Sequence, residues 1–127
     1  MKKIFFIIVL LSIFSCSISK NTVVGRYEFK GQNTMDLIII EKDNTYVHKI
    51  FNKKKEIMYI GESRYELDND RIEFFDFYPN EDYELKEFFT NEQASKFFMT
   101  ISCPVYKENQ KVIIEMNADE NIKYYKK

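Results

Sequence analysis

His48 is the only histidine of this 127-residue chain, and Cys16 and Cys103 are its only cysteines. These side chains are the ones best suited to nucleophilic, acid–base or metal chemistry near neutral pH. His48 alternates in step with Tyr46 and Ile50, which puts the three on one face of a strand. Tyr65 has the inward parity of the next strand. Tyr46, His48 and Tyr65 are therefore the positions from which a bound ligand would be touched. The alternative for His48 is a core histidine whose ring nitrogens are satisfied by neighbours.

No catalytic residue, metal ligand or cofactor is assigned. The chain has no zinc-type spacing, no phosphate-cradling glycine loop and no nucleophile elbow. Asp76, Asn80, Glu81, Asp82 and Glu84 form the densest oxygen cluster. They lack the spacing and glycine of a calcium-binding EF-hand loop, and read as a solvated turn. Cys103 precedes Pro104, which favours extended backbone, and it falls in step with Phe97, Met99 and Ile101. It reads as a small buried hydrophobe, since a nucleophilic thiol needs a base at hand.

The N-terminus explains Cys16. Lys2 and Lys3 precede an apolar run from Ile4 to Phe14 that only Ser12 interrupts. Such a run has the length of a secretory signal core and is short of the ~20 residues that cross a bilayer as a helix. Ile13-Phe14-Ser15-Cys16 follows, and resembles the lipobox of bacterial lipoproteins. The resemblance implies a helical signal peptide over residues 1–15, cleaved before Cys16. It also implies diacylglycerol on the Cys16 thiol and a fatty acyl group, such as palmitate, on the new amine. Several chains on one residue make a firm membrane anchor, because each buried methylene contributes roughly 0.8 kcal/mol. Ser17 in the next position implies, by the same resemblance, the outer membrane facing the periplasm in a host with two membranes. Residues 16–21 read as a short polar tether.

Removing residues 1–15 leaves 112 of the 127 residues, enough for one domain over 22–127. That part holds 17 basic and 20 acidic side chains, which argues against a nucleic-acid binder. Cys103 is left without a partner, so no internal disulfide framework is expected.

Period-two patterns dominate the remainder. Strands are predicted over Thr22–Lys30, Met35–Lys42, Thr45–Asn52, Ile57–Asp68, Arg71–Phe77, Phe97–Tyr106, Lys111–Asn117 and Ile122–Tyr125. Asp43-Asn44 and Asn69-Asp70 make tight turns, Gly61 suggests a bend or bulge, and Asn91 caps a short helix through Ser95. About eight strands joined in order by short turns give an all-β antiparallel meander, and closure into a barrel removes its edges.

The first half resembles the small lipocalin-like domains of bacterial lipoproteins. Gly25-Arg26-Tyr27, Leu37-Ile38-Ile39, Asp43-Asn44-Thr45-Tyr46, Tyr65-Glu66-Leu67 and Ile72-Glu73-Phe74 carry the likeness, over roughly residues 23–78. It implies a small barrel and says little about activity. The expected function is a non-enzymatic binding or interaction module of the cell envelope. A carrier of a small apolar ligand and an envelope enzyme inhibitor or immunity protein are the alternatives. Eleven acids between Glu62 and Glu92 suit a basic protein target for the last of these.

Overall fold

A computed structural model describes residues 18–80, 85 and 87–127. Eight strands close into one antiparallel barrel in chain order: β1 (Gly25–Lys30), β2 (Thr34–Ile40), β3 (Thr45–Asn52), β4 (Ile57–Asp68), β5 (Arg71–Phe77), β6 (Met99–Glu108), β7 (Lys111–Asn117) and β8 (Ile122–Lys126). β8 returns to β1 through Tyr27–Lys126 and Glu28–Tyr125. The all-β meander and its closure are as expected.

Hairpin chemistry sets most boundaries. Asn44, Asn69, Asn109 and Asn121 take positive φ at the turns, where asparagine pays less than a branched residue. Alternation then places Tyr27, Ile38, Ile40, Tyr46, Tyr65, Ile72, Phe74, Val105, Ile114 and Tyr124 in one continuous interior cluster. A second cluster, Ile50, Met58, Tyr59, Tyr78 and Ala94, lies under the long β5–β6 connection.

The N-terminal segment departs from expectation. Thr22 and Val23 do not begin the first strand. They belong to a one-turn helix, α1 (Lys20–Val23), because the Ser19 side chain accepts from the Thr22 N–H and caps it. Val23 is fully buried, and the Tyr27 hydroxyl donates to its carbonyl at 2.6 Å, so α1 stops one end of the barrel. The tether expected over 16–21 is docked from Ile18 onward: Ile18 N–H donates to Asn69 O, and its side chain packs on the core. The first strand accordingly starts at Gly25.

Three smaller departures have local causes. Ile57 is exposed although Tyr59 is buried, because β4 bulges at Met58 opposite Ile50–Phe51 and reverses the alternation there. Gly61 makes no bend and pairs in register with His48. A Cβ at Gly61 would meet the Tyr59 hydroxyl and ring, so its role is to let that ring lie along the strand. The short helix α2 (Asn91–Ser95) is capped by Thr90, one residue before the expected cap, in a reciprocal box with Gln93.

Gly61→Ala should therefore lower stability by about 1–3 kcal/mol, the usual cost of forcing extra volume into a packed site. Chemical denaturation of the two proteins measures this, and an unchanged midpoint would remove the packing role of Gly61.

Candidate functional site

The inner face of β2 carries Thr34, Asp36 and Ile38 in alternation, so Asp36 points into the barrel and is 1% exposed. Its carboxylate is surrounded by donors from distant parts of the chain. His48 Nε2 on β3 lies 3.0 Å from Oδ2, the Tyr124 hydroxyl on β8 donates to the same oxygen at 3.1 Å, and Asn80 Nδ2 donates to Oδ1 at 3.0 Å. Asn80 also reaches Thr34 Oγ1 at 3.5 Å. With Asp36 as acceptor, the imidazole proton sits on Nε2. The His48 ring is stacked on Phe77 at 4.6 Å between centroids and meets the edge of Tyr59 at 5.6 Å. His48 Nδ1 and Asn80 Oδ1 have no hydrogen-bond partner among the described residues.

His48 is thus the buried, partnered core histidine of the two expectations at Nε2, with one nitrogen left over. Asn80 departs from the sequence reading: it leaves the solvated loop and turns into the core. Asp76 stays at the surface, accepting from Ser63 Oγ at 3.0 Å, and Glu81, Asp82 and Glu84 lie outside the described residues. No three His, Cys, Asp or Glu side chains among the described residues are grouped to hold a metal ion. Cys16 also lies outside the described residues.

The two tyrosines differ in their surroundings. Tyr46 packs on Phe77 at 6.1 Å, so it shares that ring with His48, and its hydroxyl donates to Phe75 O at 2.6 Å. Tyr65 sits nearer the α1 end, and its hydroxyl donates to Glu41 O at 2.7 Å. Tyr46 and His48 are brought together, while Tyr65 joins neither of them through a ring contact or hydrogen bond. Asp36 and Tyr124 are not singled out by the sequence pattern, and Asn80 is singled out there only as part of a solvated turn. An acid alone in the apolar run Met35–Ile40 was the available signal.

Burial acts on the phenols and the thiol in one direction. Desolvation, helped by Tyr78, pushes Tyr59 up to about 12, and burial pushes Cys103 up to about 12 against the pull of Arg71. Tyr27 and Tyr46 are also raised, mainly by burial.

The opposite end of the barrel from α1 presents a different surface. Phe88, Phe97 and Met99 are 60%, 58% and 48% exposed. Phe97 and Met99 share the parity of buried Cys103, but they stand on the part of the chain that rises past the rim. Phe97 precedes β6, which begins at Met99. Beneath them Leu85, Phe89 and Phe98 are half-buried on the second core cluster, and Phe89 N–H donates to Met58 O at 2.7 Å. A shallow apolar cleft of about 390 Å³ runs between Tyr78, Pro79, Leu85, Phe89 and Phe97.

Two outcomes follow. Asp36→Ala orphans donors from three elements and should cost about 3–5 kcal/mol, as for other broken buried pairs. Asp36→Leu combined with His48→Phe should cost less than the two single changes summed, which a double-mutant denaturation cycle reads directly. The raised phenols and thiol hold their protons more tightly in the fold than in the unfolded chain. Their stabilisation is whole below the ordinary values, 10.0 for the phenols and 9.0 for the thiol, and is lost as pH rises through about 12. The denaturation midpoint should fall steeply across that window; a flat profile would contradict buried, protonated tyrosines.

No protein-family model, no curated protein and no solved structure matches the chain, so the site is read from its own geometry.

Proposed function

We propose that this chain is a membrane-anchored lipoprotein of the cell envelope whose barrel is a non-enzymatic binding module, with the anchor at Cys16 and the partner taken on the far rim. The observation that carries the reading is the placement of Ile18–Val23 and of Phe88, Phe97 and Met99 at opposite ends of one barrel. α1 and the turns at Asn44 and Asn69 share one end: Lys20 Nζ donates to Asn44 Oδ1 at 2.5 Å and Ile18 N–H reaches Asn69 O. The β5–β6 connection belongs to the other. Only Ser17 separates Cys16 from docked Ile18, so an anchored barrel would stand with α1 toward the bilayer and its aromatic rim away from it. Phe97 and Met99 line one cleft over the half-buried aromatic base, while Phe88 lines a neighbouring one with Lys53 and Lys54, and exposed apolar side chains over a rigid base are what a binding patch needs. The filled interior, with Tyr27, Tyr46, Phe74, Phe77 and Tyr124 buried side by side, favours surface binding over carriage of a ligand inside the barrel.

Cys16→Ala should abolish fatty-acid labelling and leave the precursor uncut, and continued labelling would overturn the anchor. Phe88→Asp with Phe97→Asp should leave stability within about 0.5 kcal/mol, since both rings are exposed. It should also abolish crosslinking of the partner captured from envelope extract by the parent protein. Undiminished crosslinking of that partner would remove the rim from the proposal.

A further inference from the structure

The ladder between β6 and β7 stops at Val105–Ile114. The next residue of β6 is Pro104, which has no N–H to continue it. β6 nevertheless reaches back to Met99, so residues 99–104 have β5 on one side and no strand on the other. Hydrogen-bond direction alternates along an antiparallel strand. Val105 N–H donates to Asp70 O, on the β5 side. The N–H groups of Thr100 and Ser102 therefore point the other way, and the ladder gives them no partner there. Beside this edge lies a cleft of about 650 Å³ at the end of the barrel away from α1. Phe77, Ile101, Met116 and Ile122 make its walls apolar. Glu120 is the one charged side chain lining it among the described residues, and Asp119 is its neighbour on the β7–β8 turn, both exposed. The Arg71 guanidinium is already held by Ser102, donating to Oγ and to the carbonyl oxygen at 2.9 Å each.

We propose that residues 99–104 of β6 take up an extended segment of a partner protein as an added strand, one in which apolar side chains alternate with basic ones. This names the partner chemistry for the binding end proposed above, and it rests on that reading. The incoming backbone accepts from the N–H groups of Thr100 and Ser102, as strand addition to a sheet edge requires. Period two then sends every second side chain into the apolar cleft. The others pass Asp119 and Glu120, where a lysine or arginine meets opposite charge. Exposed edges are ordinarily shielded by charged side chains, proline or a covering element. Residues 99–104 carry no charge. Pro104 keeps β7 from pairing but leaves the two donors beyond it open.

The test uses the full chain carrying Cys16→Ala in mild detergent, with a short synthetic peptide alternating valine and lysine as the probe. The peptide should bind saturably, and amide hydrogen exchange at Thr100 and Ser102 should slow at least about tenfold. A peptide alternating valine and glutamate should bind at least about tenfold more weakly, and Glu120→Lys should narrow that difference. N-methylation of alternate peptide amides tests for an added strand. Methyl groups on the amides facing β6 should abolish binding, and those on the other set should leave it unchanged. That comparison uses no substitution in the edge, so it decides the matter even if a variant fails to fold. Ser102→Pro removes one edge donor while the β5 ladder keeps its bonds, and should weaken binding about tenfold. Ser102→Ala, which keeps the N–H, should bind as its parent does. The proposal is overturned if both methylated sets bind alike, if the glutamate peptide binds equally well, or if Ser102→Pro matches Ser102→Ala. A dimer of the chain that Ser102→Pro dissociates would assign the edge to a second copy and overturn it too. If the envelope partner depends on Phe88 and Phe97 but not on the Ser102 N–H, strand addition falls and the binding rim stands.

Discussion

A carboxylate inside a small barrel constrains everything around it. Removing an ionised group from water costs several kcal/mol, and the cost is met only when each oxygen is given donors. Asp36 receives them from His48 on the neighbouring strand, from Tyr124 at 88 residues' separation and from Asn80 at 44. The network therefore couples the β2–β3 register, the position of the last strand and the entry of the long β5–β6 connection. A slip of one residue in β2 would turn Asp36 to solvent and Leu37 inward, leaving His48, Tyr124 and Asn80 without their acceptor. Hydrophobic alternation alone is satisfied by several pairings of short apolar strands, whereas this set of hydrogen bonds is satisfied by one.

The same network explains how much of the fold the sequence announces. β3, β4 and β5 lie where alternation and the Asn-containing turns put them, because those signals are local. The Ile57 parity fails because a bulge at Met58 leaves no compositional mark, and the glycine that looks like a bend serves the Tyr59 ring instead. The strand expected from Thr22 becomes α1 through a Ser19 cap hidden in a polar run. At the site, inward-facing Tyr46 and His48 are legible from period two. Their partners are not, since Asn80 and Tyr124 are brought in by closure of the barrel. Asp36 itself was visible as an acid in an apolar run, but only a known set of donors makes sense of it.

Irregularity is concentrated where the ladders part. β4 and β5 pair over Tyr65–Asp68 and separate above that, and β6 leaves β7 after Pro104. Both openings face the end away from α1, so that end carries the clefts, the half-buried aromatic base and the exposed rim, while the α1 end is stopped by Val23. This polarity joins two features that have no sequence relation, a docked N-terminal segment and an exposed apolar rim. It follows from the up-and-down order of the strands, which sends the β5–β6 connection to the end opposite the chain's entry.

Tyrosine is what allows such a barrel to be irregular without leaving polar backbone stranded. The Phe75 carbonyl stands at a break in the β5–β6 register, beside Asp76 with its positive φ, and Tyr46 donates to it. The Glu41 carbonyl stands at the β2–β3 turn and takes the Tyr65 hydroxyl, while Val23 O at the end of α1 takes that of Tyr27. In each case an interior ring reaches from the core to a carbonyl outside a regular strand ladder. Phenylalanine would fill the same space and leave the carbonyl without this donor, at the cost that attaches to any buried acceptor. Nine tyrosines beside three glycines are then a coherent composition. The chain bends with few glycines because aromatic hydroxyls secure the backbone where it departs from the ladder, and the same burial that makes these bonds effective raises the phenol pKa values.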